Sequence, residues 1–80
     1  MSLLWITKAE YVNDFKLNIE FNTNENGIVD LESKLDKKIF EPLKDKTFFS
    51  NFRLNSWTIE WENGADFSPE FLHKQLIKTD

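Results

Sequence analysis

His73 is the only histidine in 80 residues, and there is no cysteine. Ser68 and Asp66 precede it closely, so the one nucleophilic set on offer is Ser-His-Asp. In such a set the imidazole takes the serine proton while the carboxylate orients the imidazole. The spacing argues against it. Ser68 and His73 are five positions apart, which on one helix turns their side chains about 140° away from each other. Ser68 before Pro69 is instead placed to cap a helix, with His73 facing solvent.

Three acids near the end of the chain raise a second chemistry. Glu60, Glu62 and Asp66 carry oxygen ligands of the type Mg²⁺ and Ca²⁺ prefer, but no loop has EF-hand spacing. Alternation around Trp61 sends Glu60 and Glu62 to the solvated face of a strand. Asp66, just ahead of a helix, is expected to meet free backbone amides. Carboxylate pairs of the glycosidase kind arise in any acidic chain. The two glycines, Gly27 and Gly64, are isolated, so no loop cradles a phosphate. We therefore expect no catalytic residue, no cofactor and no metal, and no enzyme.

What remains is aromatic. Eight Phe, three Trp and one Tyr make up 15% of the chain. Each buries roughly 150–250 Å², which compensates a small domain for its limited core and for the missing disulfides. Twelve are hard to bury completely in 80 residues. One or two left exposed on a sheet form an adhesive patch, and Trp57 and Trp61 are the candidates.

The net charge is −4 and is evenly spread. Residues 1–40 carry five Lys against seven acids, and residues 41–80 five Lys and Arg against seven acids, so each half is −2. A nucleic-acid binder shows a basic patch or stripe, and the densest basic stretch here, Lys34 to Lys38, is broken by Asp36. Direct nucleic-acid binding by this chain alone is not expected. No apolar run approaches the ~20 residues of a membrane span. No basic and apolar leader opens the chain. With no cysteine, the expectation is a cytoplasmic protein.

The elements that must position these residues follow from periodicity. Phe15 to Phe21 alternates strictly, which means a half-buried strand. Upstream, Trp5, Ala9 and Tyr11 share one parity of a second strand. A three-residue connection through Val12, Asn13 and Asp14 sets Tyr11 opposite Phe15 and Ala9 opposite Leu17. Asn26-Gly27 marks the next turn. A loop of Glu25, Asn26 and Gly27 pairs Thr23 with Val29 and Phe21 with Leu31, making residues 28–31 a short third strand. Leu31, Leu35 and Ile39 recur at helical spacing with Asp30 as cap, and Pro42 ends that stretch. Phe40 to Leu43 reads as an extended connector, and Thr47 to Phe52 as a short helix.

Arg53-Leu54-Asn55 and residues 57–61 read as a strand pair bent at Asn55-Ser56, with Trp57, Ile59 and Trp61 on one face. Asn63-Gly64 is a turn. Ser68 caps a final helix from Pro69 to about Lys78, with Phe67 stapled onto Leu72. It buries Phe71, Leu72 and Leu76. Strands grouped in this way predict an α+β fold with a mainly antiparallel sheet, in the order β-β-β-α-β-β-α, packed against one or two short helices and a C-terminal helix as one domain over residues 1–80.

The run Trp57 to Glu70 resembles domain-of-unknown-function family 2442. So do Phe40-Glu41-Pro42-Leu43, Phe49 to Leu54, and Ile28-Val29-Asp30-Leu31. The most specific mark is Trp61 to Asp66, a strand ending Trp-x-Asn-Gly-Ala-Asp. Glu62 departs from the proline often found there, and Lys37-Lys38 replaces a Gly-rich approach to Phe40. The resemblance covers nearly the whole chain and implies a small bacterial α+β protein. The family offers no activity or catalytic residue to carry over. Some members continue into a helix-turn-helix domain, for which these 80 residues leave no room. The resemblance also implies partnership with another small protein in a toxin–antitoxin-like pair.

Three functions from different classes follow as expectations. The first is a non-enzymatic protein-interaction module, bound to another small protein or to itself, with Trp57 and Trp61 as the surface. The alternatives are a nucleic-acid-linked regulator acting only within a complex, and a domain that binds a small molecule between sheet and helices.

Overall fold

Leu17, Ile19 and Phe21 alternate with Lys16, Asn18 and Glu20. In the computed structural model, which describes residues 3–77, that alternation is a strand with its apolar side chains fully buried. In chain order the elements are β1 (Ile6–Asn13), β2 (Lys16–Phe21), β3 (Asn26–Asp30), 3-10 turns at Glu32–Lys34 and Lys38–Lys44, α1 (Lys46–Ser50), β4 (Arg53–Leu54), β5 (Ile59–Glu60), α2 (Pro69–Lys74) and β6 (Leu76–Ile77). One antiparallel sheet has the order β1-β2-β3-β6, and β4 and β5 form a second, two-stranded one. The fold is α+β.

The register of the first hairpin differs from the sequence reading. Tyr11 lies opposite Leu17 and Ala9 opposite Ile19, with Asn13 paired to Lys16. The four residues keep one face, but the connection is tighter than three residues. Asp14 makes this possible by adopting φ 47°, a left-handed conformation that short polar side chains tolerate. A register shift between Tyr11 and Asn13 absorbs the extra residue.

The second hairpin also turns earlier than Asn26-Gly27. Asn24 takes φ 71°, Asn24 N–H donates to the Phe21 carbonyl at 3.0 Å, and Phe21 N–H to the Glu25 carbonyl at 2.8 Å. Gly27 falls inside β3, opposite Ile19, and Leu17 faces Val29 rather than Thr23 doing so. This places Val29 over the buried stripe of β2, while Leu31 leaves the strand and enters the core beneath it.

The middle of the chain is 3-10 rather than α-helical or extended. Asp30 Oδ1 accepts from Glu32 N–H at 3.0 Å, but the residue at the cap position is Leu31, which makes no side-chain cap bond. Leu31 and Leu35 are buried, but Ile39 is half exposed. The expected connector at Phe40 to Leu43 is part of the turn Lys38–Lys44, which contains Pro42 instead of stopping before it. Three residues per turn bring Phe40 and Leu43 onto one inward face.

Helix α1 starts where Asp45 Oδ1 accepts from Thr47 N–H at 2.9 Å, and it buries Phe49. Helix α2 begins as expected, with Ser68 Oγ accepting from Phe71 N–H at 3.1 Å and Pro69 in the first turn. It stops at Lys74, well short of the expected end, because Leu76 and Ile77 pair with Val29 and Ile28 of β3. Lys78, the expected last residue, lies outside the described residues. Phe67 stacks on Phe71 with ring centroids 5.4 Å apart, so it packs one residue earlier on the helix than Leu72.

The core lies on one face of the four-stranded sheet. Leu17, Ile19, Phe21 and Val29 meet Leu31, Leu43, Phe49, Ile59, Trp61 and Leu72, all fully buried. No helix among the described residues is long and apolar enough to cross a membrane.

Candidate functional site

The residues that suggested chemistry are engaged separately. Ser68 Oγ serves the α2 cap, while His73 Nε2 lies 2.9 Å from Glu25 Oε1 and its ring stands edge-on to Phe21 at 5.2 Å. Glu60 and Asp66 form a bridge between their backbones, but the Glu60 carboxylate turns to Arg53 Nε at 3.6 Å. Glu62 and Asp66 are exposed. Among the described residues no group of three or more His, Asp or Glu is arranged to hold a metal.

The two tryptophans expected to share a surface do not share one. Trp61 is completely buried: its Nε1–H donates to the Phe49 carbonyl at 2.8 Å, and its ring packs on Phe49, Phe52 and Phe67. It is a core residue, which corrects its assignment to an interaction surface. Trp57 is 50% exposed. The cause is local. Asn55 Oδ1 accepts from both Trp57 N–H (2.7 Å) and Thr58 N–H (2.8 Å), so the chain is still turning at Trp57 and strand alternation begins only at Ile59. Thr58 fills the vacated inward position, its Oγ1 donating to the Phe67 carbonyl at 2.6 Å.

Trp57 has a neighbour that sequence parity did not single out. Its ring meets Trp5 edge-on at 6.2 Å, and its carbonyl accepts from Ile6 N–H at 2.9 Å, which fastens the β4–β5 turn to the outer edge of β1. Strand β1 is the edge of the sheet and is exposed along nearly its whole length. Leu3, Trp5, Tyr11 and Val12 on or beside it, and Leu54 and Trp57 on the β4–β5 hairpin, are six of the seven large apolar side chains exposed among the described residues. Only Ile39 lies elsewhere. The signal for this was present in the sequence as apolar residues on both parities of the first strand, a pattern that one buried face does not explain.

A second concave feature lies between the two 3-10 turns and the start of α2. Lys34, Lys37, Phe40, Asp66, Phe67 and Phe71 are among the residues lining this open cleft of about 450 Å³. Phe67 is stacked between Phe40 at 4.6 Å and Phe71 at 5.4 Å, all three rings nearly parallel. Two lysines against Asp36 and Asp66 leave the lining without net charge.

A family model described as Protein of unknown function (DUF2442) matches residues 6–77. The chain belongs to this family. No curated protein and no solved structure matches it. The DUF2442 match runs from the first residue of β1 to the last of β6, so the exposed edge strand and the turn carrying Trp57 both lie inside the family's span.

Proposed function

We propose that this DUF2442 chain is a non-enzymatic protein-interaction module that docks through the outer edge of β1 and the indoles at its end. One observation carries the reading: the exposed apolar side chains are gathered on β1 and the adjoining β4–β5 hairpin instead of being scattered. Single exposed apolar residues are ordinary on monomers, whereas exposed apolar residues gathered along one side mark a contact surface; here they form a cluster at each end of β1. An edge strand adds backbone donors and acceptors that an incoming strand satisfies. Partnership in a toxin–antitoxin-like pair, in the cytoplasm, belongs to the same reading, with one small protein as the stoichiometric partner.

The test is affinity capture from the host's extract with three baits: the wild type, Trp57→Ser and Ile39→Ser. A protein held by the wild type and by Ile39→Ser but released by Trp57→Ser supports the reading. If no protein, this chain included, depends on Trp57, the reading falls.

The Phe40–Phe67–Phe71 cleft supports a second reading, a small-molecule site for a planar, partly apolar ligand. Such a ligand raises the melting temperature with concentration. A flat response across a metabolite panel removes this reading.

A further inference from the structure

We infer that the occupant of the β1 edge is a second copy of this chain, paired antiparallel across a two-fold axis at Ala9; this rests on the interaction reading above. Directly opposed residues of antiparallel strands point to the same face, so a two-fold axis through the sheet must pass between a residue and its own copy. Charge selects which residue. Lys8 and Glu10 lie on one face, 3.1 Å apart and more than half exposed. An axis at Lys8 or at Glu10 sets like charges opposite each other, which is destabilising. An axis at Ala9 sets Lys8 against the partner's Glu10 and Glu10 against the partner's Lys8. Around it four charges then alternate in sign, and the smallest side chain of the strand sits where the copies approach.

The same register answers the apolar ends. Beyond the regular stretch Lys8–Tyr11 it carries the Tyr11–Val12 end of each copy toward the partner's Trp5–Trp57 end. The Ile6 N–H is already held by the Trp57 carbonyl, so the new ladder ends there and the indole lies beyond it. Trp5 and Trp57 cluster at one end of β1, Tyr11 and Val12 at the other, and all four are exposed. Antiparallel pairing brings each end of one copy against the opposite end of its partner, covering both clusters twice. Sheet edges left open invite uncontrolled association, and a closed two-fold pairing covers the β1 edge of both copies, leaving the two-residue β6 at each outer side.

The experiment is sedimentation of the full chain from about 1 to 200 µM, with folding of each variant checked by its melting curve. A dimer is expected. Lys8→Glu and Glu10→Lys each weaken it roughly tenfold, and the double exchange Lys8→Glu with Glu10→Lys restores it to within about threefold. Ala9→Cys in this cysteine-free chain forms a disulfide-linked dimer on mild oxidation, because opposed strand residues lie within bridging distance, while Asn18→Cys on β2 does not. A dimer indifferent to these changes overturns the pairing. A monomer at 200 µM whose Ala9→Cys form stays unlinked also overturns it. In that case a captured protein that still depends on Trp57 leaves the interaction reading standing, and none overturns both.

Discussion

The side-chain amide of Asn63 donates to the Ile39 carbonyl at 2.9 Å, across 24 residues of chain. In a 3-10 turn that carbonyl is the natural acceptor for the N–H three residues later. Here that residue is Pro42, which has none to give. Asn63 thus supplies the donor that lets a proline sit inside the turn, and it couples the Asn63-Gly64 loop to the segment that buries Phe40 and Leu43. Asn63 Oδ1 also accepts from Ala65 N–H at 3.2 Å, and Gly64 takes φ 88° beside it. Asn63→Asp retains the acceptor and loses the donor, and is expected to lower stability by about 1 kcal/mol in urea unfolding. Asn63→Ala loses both bonds and is expected to lower it further. Equal stabilities for the wild type and Asn63→Asp would sink this account of Pro42.

Trp61 and Trp57 are four positions apart in the chain, one completely buried and the other half exposed. Trp61→Ala is expected to cost roughly 3–5 kcal/mol, since it empties a site packed by Phe49, Phe52 and Phe67. Trp61→Phe fills most of that space but leaves the buried Phe49 carbonyl without the indole N–H, at a cost of about 1–3 kcal/mol. Trp57→Phe, at a half-exposed site, is expected to stay within about 0.5 kcal/mol of the wild type. Chemical denaturation of the three variants checks the order.

These two tryptophans show where sequence reading fails, and β2 and α2 show where it succeeds. The Phe15 to Phe21 alternation identified β2 and its buried face because six paired residues overdetermine a strand. Ser68-Pro69 located the start of α2 because cap and ring chemistry act locally. Trp57 shares the sequence parity of Trp61 but not its face, because one side chain, Asn55, bends the backbone before alternation begins. Likewise the hairpins turn at Asp14 and Asn24, whose left-handed conformations are set by strand pairing rather than by the more obvious Asn26-Gly27. Strand β6 is two residues long and defined only by its pairing to β3, so no periodicity could announce it. The Trp5–Trp57 contact joins residues 52 positions apart and depends on the Ile6–Trp57 backbone bond.

The tight β1–β2 turn is held to α1 by Lys46 Nζ on Asp14 Oδ1 at 2.9 Å. The hydrogen bond and charge of Lys46 hold the Asp14 carboxyl below its ordinary 3.8, and the same partner holds Lys46 above 10.5. A lowered acid stabilises the fold above its unfolded value and loses that contribution as pH falls through the folded one. A raised amine does so below 10.5 and loses it as pH rises further. The pair is exposed, so its effect is small and screened by salt. Asn tolerates the left-handed backbone of position 14, so Asp14→Asn removes the charge without breaking the turn. Its melting temperature should lie slightly below the wild type from about pH 5 to 9, with the gap closing below pH 3.8 and at 1 M salt. A gap that persists in acid would assign the loss to the turn itself.

The exposure of the three indoles makes the edge surface visible in solution. Trp61 is sealed, Trp5 is 37% and Trp57 50% exposed, so acrylamide should quench most of the Trp5 and Trp57 emission and little of Trp61. Trp57→Phe should remove the most accessible component and shift the remaining emission to shorter wavelength. If β1 pairs with its own copy, Trp57 lies toward the partner's Tyr11–Val12 end, and quenching of the wild type should fall between about 1 and 100 µM protein. Lys8→Glu sets two pairs of like charge across that interface and should move this fall to roughly tenfold higher protein concentration. That shift, with an unchanged melting curve, ties the protection of Trp57 to the pairing of the edge strands; quenching that falls at the same concentration in both proteins would place the contact on some other face.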